Sequence, residues 1–587
     1  MSPTVSPPRL ALLFAGLAIT LPFLFPEHRP PIRSFYDEWL ALAIGLVAVG
    51  AAALARRSRA IVVPDIAFAF LLFACWLGVQ AVLRRPAYVQ LPIYGVLYLV
   101  FAAALAWLGH ELVVSLGTQN VCDTLATFLL AGAMANAAAG VIQFYGVPDV
   151  LEGIVGRQFG VKAVGHVGQS NLYANYLALG QASLAYLFAR RRLGGGAAIT
   201  AGIVLALAAA LSQSRSALVF SAWLVVLAFF VGRGGFDRGP LRRAALASGL
   251  ATIAAILLVP RIHMLLGIEI AHPFSLDRIF ETADPDTARI ENRVRIWPFA
   301  FERGLASPLV GVGWGEFAGA AFRVGLPRDM ANEGEIWSSA HNVVLQTFSE
   351  AGAVAGLITI VAAAMWWFPV ARALRRGDGG LPSWWLAALV GVETLHALVE
   401  YPLWYAHFLG VAALAMGMGS CHGRRILLSR AASTAGAVLT LGAFGLLGWT
   451  LVDYLRLDEA RWPATGRTLA TPREVDGAIA TLQGVSRGPL APAAEPWLFR
   501  SLPLDRETVA SRIELGERVL SVHPDSRFVA RHAANLALAG RDEEARLLVA
   551  HAVRTLPLAR ERIAGTLSAL AMQDRAVLAP LLAQVDP

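Results

Sequence analysis

Charge and cysteine are what this chain has little of. Asp, Glu, Lys and Arg make up only 15% of its 587 residues, against 56% hydrophobic, and the mean hydropathy is +0.57. A large soluble protein would not carry repeated apolar runs near the roughly 20 residues that cross a bilayer, so this composition implies an integral membrane protein. The three cysteines, Cys75, Cys122 and Cys421, are far apart in sequence and show neither a disulfide framework nor metal-ligand spacing. The net charge of +8 is mostly arginine, placed in short clusters between apolar runs instead of on one broad surface. That pattern speaks of membrane topology and not of nucleic acid.

Apolar runs fall near 10–25, 38–54, 61–83, 91–109, 124–144, 172–188, 197–211, 217–232, 244–259, 343–370, 383–399, 403–419 and 431–453. The expected fold is therefore an all-α polytopic membrane protein with about thirteen transmembrane helices. The first run lacks a small-residue cleavage site and ends in Pro26-Glu27-His28-Arg29-Pro30-Pro31, so it reads as a retained anchor. Residues 1–260 form an N-terminal bundle, 261–340 a long loop, 341–454 the C-terminal spans and 455–587 a charged, alanine-rich helical domain. In that last domain Thr471-Pro472-Arg473-Glu474 is a helix start, and helices end at Val522-His523-Pro524 and Thr555-Leu556-Pro557, about one tetratricopeptide-like repeat apart. Ala539-Gly540-Arg541-Asp542 reads as the turn between two helices, with Asp542 as the cap.

Arginine placement sets the expected orientation. Arg56, Arg57 and Arg59; Arg190, Arg191 and Arg192; Arg233, Arg238, Arg242 and Arg243; Arg372, Arg375 and Arg376; and Arg424, Arg425 and Arg430 lie in alternate loops. Those loops should be cytoplasmic, with Arg84 and Arg85 against the pattern. The opposite face then collects Gly168-Gln169-Ser170-Asn171, the turn at Arg215, the long loop, His341 and Glu400-Tyr401-Pro402.

Those residues carry the chemistry. Asn342, Gln346 and Glu350 recur every four residues beside His341, a polar stripe entering an apolar run. An arginine between apolar runs, as at Arg215, must be paired or meet an anion, and Arg293 and Arg295 before Trp297 offer a second cationic centre. Arginines without an obvious carboxylate partner suit a diphosphate, and Trp297, Trp314 and Trp337 suit a sugar face. His341 is the nearest candidate base. Together these describe group transfer from a lipid diphosphate to a hydroxyl with no metal and no cofactor; Asp284-Pro285-Asp286 looks like a metal-binding D-x-D without supporting ligands.

The chain resembles the bacterial O-antigen ligase and polymerase superfamily through Ser214-Arg215, Arg293 with Trp297, Pro308 through Gly311-Val312-Gly313, and His341-Asn342 with Leu345-Gln346, Glu350 and Gly352. It is similar to that superfamily's periplasmic O-linked, protein-modifying oligosaccharyltransferases through Gly168-Gln169-Ser170-Asn171-Leu172-Tyr173-Ala174 and Glu400-Tyr401-Pro402-Leu403-Trp404-Tyr405. The resemblance implies an undecaprenyl-diphosphate-linked glycan donor, an inner-membrane setting and a periplasmic site. It places the base at His341, the diphosphate arginines at Arg215 and Arg293, with Arg295 as the rival, and further functional positions at Gln169 and Tyr401, with Tyr405 as the rival. The acceptor is a protein hydroxyl, lipid A core or another glycan, which separates oligosaccharyltransferase, ligase and polymerase. A transporter of lipid-linked sugars is the non-enzyme alternative.

Overall fold

The computed structural model describes residues 6–56, 58, 60–156, 162–232, 237–268, 285–326, 336–465 and 470–585, with the side chains of 285–294 outside that description. Each of the thirteen apolar runs contains a helix, although the run at 61–83 opens in the strand Ala60–Pro64 before the helix Asp65–Arg84. Eight helices among the described residues are long and apolar enough to cross a membrane, and shorter apolar helices include Gly195–Leu211, Ser216–Phe230 and Ala406–Met418. The protein is an all-α polytopic membrane protein. In the helix Arg430–Ala464, Val438, Leu439 and Leu441 are 61%, 73% and 71% exposed. Such side chains need hydrocarbon around them, not water.

The chain folds as two compact units. The first comprises Met1–Phe73, Tyr98–Arg289 and Ile358–Gly445, and the second Ala74–Leu97, Ile290–Leu357 and Leu446–Pro587.

In the first unit the helix Ser170–Ala189 is buried over almost its whole length, against Thr118–Tyr145, Gly380–Ala397 and Gly239–Leu265. Its two ends meet different sets of loops. At the far end Arg190 and Arg192 bind Asp123 at 3.0 and 2.9 Å. Two further contacts join arginine-bearing loops of the same set. Arg56 binds Glu111 at 2.6 Å, and the strand Ala60–Pro64 pairs antiparallel with Gly423–Leu427. At the near end Asn171 reaches Ser214 and Glu400, and Ala163 N–H donates to the Leu211 carbonyl at 3.0 Å. A 20-residue helix is about 30 Å long, so these two sets are separated by about one bilayer.

The second unit includes residues 343–357 of a broken helix. Val343–Arg376 is interrupted at Gly352, whose φ of 80° and ψ of −179° are not helical. The loop from Pro308 to Gly313 fills the break: Ala353 N–H donates to Pro308 O, Val312 N–H to Ser349 O and Gly313 N–H to Glu350 O, at 2.7 to 3.0 Å. Gln80 Nε2 donates to the carbonyls of Val310 and Glu350, both at 2.6 Å, and Trp76 Nε1 to that of Ala351 at 2.7 Å. The Ala353 N–H and the carbonyls of Ser349, Glu350 and Ala351 thus find partners at the break, as hydrocarbon surroundings demand. A Cβ on Gly352 would stand 2.0 Å from the Leu309 oxygen, so only glycine fits. Arg84, which goes against the arginine pattern, donates to the Val312 carbonyl of this loop at 2.8 Å.

The same unit ends in seven helices, Pro472–Val485, Ala491–Ser501, Val509–Val522, Ser526–Leu538, Asp542–Thr555, Arg560–Ala571 and Arg575–Val585. Thr471 and Glu474 form a capping box at the first of these. Helix ends fall at Val522 and Thr555 as the proline positions predict. Asp542, expected as a cap, is instead the first helical residue, and Arg541 before it pairs with Glu544 at 2.6 Å. Val529, Ala533, Val549, Ile563, Leu567 and Leu578 are fully buried between these helices. A buried side chain of this size contributes about 1.5–3 kcal/mol.

Candidate functional site

In the first unit, polar side chains gather where Ser170–Ala189 begins. Gly168 has φ 77° and lies so close to the His28 ring that a Cβ would be 2.8 Å from it. This turn sets Gln169 just before the helix, with its carbonyl accepting from Tyr173 N–H at 2.9 Å. Asn171 Nδ2 donates to Glu400 Oε1 at 3.1 Å, and Asn171 Oδ1 accepts from Ser214 Oγ at 2.8 Å. Ser212 shapes the adjoining turn: its Oγ donates to Ala209 O at 2.6 Å and accepts Ser214 N–H at 3.2 Å, with Gln213 at φ 49°. That turn holds half-buried Arg215 immediately before the helix Ser216–Phe230. Tyr401 and Tyr405 follow Glu400, their ring centroids 5.9 Å apart.

One helical turn below Asn171, Asn175 Nδ2 lies 3.2 Å from Glu393 and 2.8 Å from His396 Nδ1, all fully or almost fully buried. Beside the site, His28 bridges Arg33 O and His166 O, while His166 receives an N–H bond from Gly156 and contacts Leu24 O at 2.9 Å. Burial holds both imidazoles below their ordinary pKa of 6.5, and His28 Nδ1 also lies 3.5 Å from Asp37.

In the second unit the candidate base is held by its own chain. His341 has φ 50°, a left-handed backbone that is rare outside glycine and clusters at functional sites. Five groups secure it. His341 N–H donates to Ser339 Oγ at 3.0 Å, and Gln346 Oε1 accepts Ala340 N–H at 2.6 Å. Asn342 Oδ1 caps the following helix by accepting Val344 and Leu345 N–H, both at 3.1 Å. Trp297 Nε1 donates to Ala340 O at 3.1 Å, and the Trp337 ring meets the His341 ring edge-on at 5.0 Å.

The polar stripe therefore has divided roles. Asn342 caps, Gln346 folds back on the His341 turn, and buried Glu350 accepts the N–H groups of Gly315 and Phe317. Trp297 acts as a strut. Arg295 is exposed on the helix Pro285–Ala306; Arg293 lies on the same helix with its side chain outside the described residues. Asp284, His272, Asp277 and Arg278 also lie outside them, as do the side chains of Asp286 and Arg289. Among the described residues no group of three His, Cys, Asp or Glu side chains is placed to hold a metal.

Gln169, Asn171, Arg215, Tyr401 and Tyr405 thus share the first unit, and Arg293, Arg295, His341, Asn342 and Gln346 the second. The sequence pattern marks Glu400 through its motif with Tyr401 and Pro402, but it gives no role to Glu393, His396, Asn175, Gln80 or Ser339. The available signal was their polarity inside runs that otherwise admit none.

Residues 200–360 match the O-antigen ligase family, and residues 384–564 match the family of the C-terminal region of virulence factor membrane-bound polymerases. The chain is also 24% identical over 436 residues to a general O-oligosaccharyltransferase of Acinetobacter baylyi, covering 70% of this chain and 69% of that protein. The chain is related to the O-antigen ligase superfamily. The ligase-family match runs from the Arg215 turn through His341 to beyond Gly352, so the superfamily's sequence covers the broken helix and the turn it supports. These similarities support glycosyl transfer of the ligase type by a multi-pass membrane enzyme.

Proposed function

We propose that the protein transfers an oligosaccharide from undecaprenyl diphosphate to Ser or Thr hydroxyls of periplasmic proteins. In this reading His341 takes the proton of the acceptor hydroxyl, whose oxygen bonds to the anomeric carbon of the donor sugar. The bond from that carbon to the phosphate oxygen breaks, and undecaprenyl diphosphate leaves. Arg215, with Arg293 or Arg295, holds the diphosphate by paired hydrogen bonds and meets the charge that grows on it. Gln169, Asn171, Tyr401 and Tyr405 line the donor's approach. Proton transfer by a positioned imidazole accounts for roughly 10²–10⁴ in rate.

The observation that carries this reading is the His341 turn. Three side-chain hydrogen bonds hold the backbone of this turn in a strained conformation and the Trp337 ring meets the imidazole, which a purely structural histidine does not need. The thirteen runs, with arginine-bearing loops at one end of the first unit, support thirteen crossings of the inner membrane with the site and the C-terminal tetratricopeptide-like helices in the periplasm. The four segments bounded at 260, 340 and 454 are proposed as its domains.

The relative that modifies by O-linked transfer favours a protein acceptor, while the polymerase-family match favours a glycan acceptor as the second reading. Transfer from a lipid-diphosphate-linked glycan, run in chelator with protein, lipid A core and glycan acceptors offered separately, decides between them. Glycoprotein formed by wild type and absent with His341→Ala supports the proposal. Product on lipid A core or glycan alone overturns the acceptor, and product undiminished in His341→Ala overturns the base.

A further inference from the structure

The second unit contains a cleft of about 700 Å³, within the range of sites that enclose a ligand. It lies among the C-terminal helices and the segment leading to His341. Four arginines line it: Arg500 at the end of Ala491–Ser501, Arg527 and Arg531 on Ser526–Leu538, and Arg562 on Arg560–Ala571. Asp525 is the acid in the lining, and its Oδ1 is occupied with Arg527 N–H at 2.8 Å.

Several features mark this as a built anion site. Arg531 is half-buried and faces Arg512 and Arg500; burial first, then those like charges, pushes its pKa down to about 10. Asp505 meets Arg512 at 3.5 Å, and a further anion in the cleft would offset the like charges that face Arg531. Ser526 is 2% exposed, and its Oγ has no hydrogen-bond partner among the described residues. It opens a 13-residue helix, where backbone N–H groups and the helix dipole favour negative charge. Between the cations lie apolar Ile336, Phe528 and Leu570.

We propose that this cleft binds an extended acidic peptide segment, its carboxylates on the arginines and Ser526 and its apolar side chains on Phe528, Ile336 and Leu570. Guanidinium forks donate to carboxylates in bidentate fashion, and one inorganic ion would leave most of the volume unfilled. Ser338 lines the cleft, and its neighbour Trp337 packs on His341, so the occupant lies beside the candidate base. Binding stands on the cleft alone. Its use in capturing an acceptor protein rests on the transferase reading.

The test is fluorescence anisotropy on the full-length protein in detergent, with a labelled peptide alternating Asp or Glu with Leu and a control bearing Asn or Gln. The acidic peptide should bind, weaken with salt, and lose about tenfold in affinity in Arg531→Gln and in exposed Arg527→Gln, with Arg531→Lys intermediate. Arg527→Gln keeps the test open where Arg531→Gln fails to fold. Equal binding of the two peptides, unchanged affinity in both folded glutamine variants, or capture of inorganic phosphate but not of the peptide overturns the proposal. Arginine-dependent binding by a protein without transfer activity leaves the cleft assignment standing and overturns the transferase reading instead.

Discussion

At the scale of single residues, the side chains that suggest catalysis are embedded in a larger set whose work is positioning. Gln346 illustrates this. The four-residue spacing marks it as a site residue, yet its amide oxygen is spent on the Ala340 N–H and so fixes the turn of His341. Gln346→Leu should therefore cut glycan transfer about tenfold or more while leaving lipid-donor binding intact, because only the base is misplaced. A transfer assay paired with donor binding checks this; loss of donor binding in the variant would contradict the positioning role. Arg215→Lys keeps a charge but not the planar fork, so transfer should fall about tenfold or more. Full activity in that variant would count against bidentate diphosphate binding. His341, Arg215 and Asn171 were legible because charge and polarity stand out in apolar sequence. Ser339 and Gln80 were not, since their roles depend on backbone groups supplied by distant segments.

At the scale of elements, the broken helix is decisive. An apolar run with one glycine looks continuous in sequence, but Gly352 takes a conformation closed to other residues and receives the 308–313 loop. Gly352→Ala places a Cβ 2.0 Å from the Leu309 oxygen and should cost several times the roughly 1–3 kcal/mol of backbone strain alone. We expect poor yield, a lowered melting temperature and lost transfer; a normally stable, active variant would show that the clasp is dispensable. A second element carries a pH signature. His532, in Ser526–Leu538, is buried, and burial lowers its pKa from 6.5 to about 4. The folded state then stays neutral while the unfolded state takes a proton. This contribution to stability is complete above about pH 6.5 and is lost as pH falls from there toward 4. Urea unfolding of the C-terminal helices should shift to lower urea between pH 7 and pH 5, and less so in His532→Gln. An equal shift in both proteins would assign the pH dependence elsewhere.

At the scale of the whole molecule, the two contact sets at the ends of Ser170–Ala189 predict opposite sides of the membrane for the loops they join. In a background with Cys75, Cys122 and Cys421 replaced, Arg192→Cys should resist an impermeant maleimide in intact cells, and Asp149→Cys, in the exposed turn between Thr118–Tyr145 and Ser170–Ala189, should react. Labelling of both positions from outside would overturn the alternating topology. Arg84 shows why arginine counting alone is incomplete: its guanidinium holds a loop carbonyl, a demand of packing that no charge rule anticipates.

The amino-acid sequence by itself determined that the chain enters a membrane, where its helices run, and where C-terminal helices begin and end. These follow from local hydropathy, capping residues and proline, which act within a few residues of themselves. Only the tertiary structure decided which polar residues meet. Asn171 finds Glu400 at 229 positions' remove and Gln80 finds the Glu350 carbonyl at 270. The arginine cleft likewise gathers residues from 318 to 570. Each depends on burial that makes an unpaired polar group too costly to leave alone, and which partners come within reach is set by the packing of helices remote in sequence.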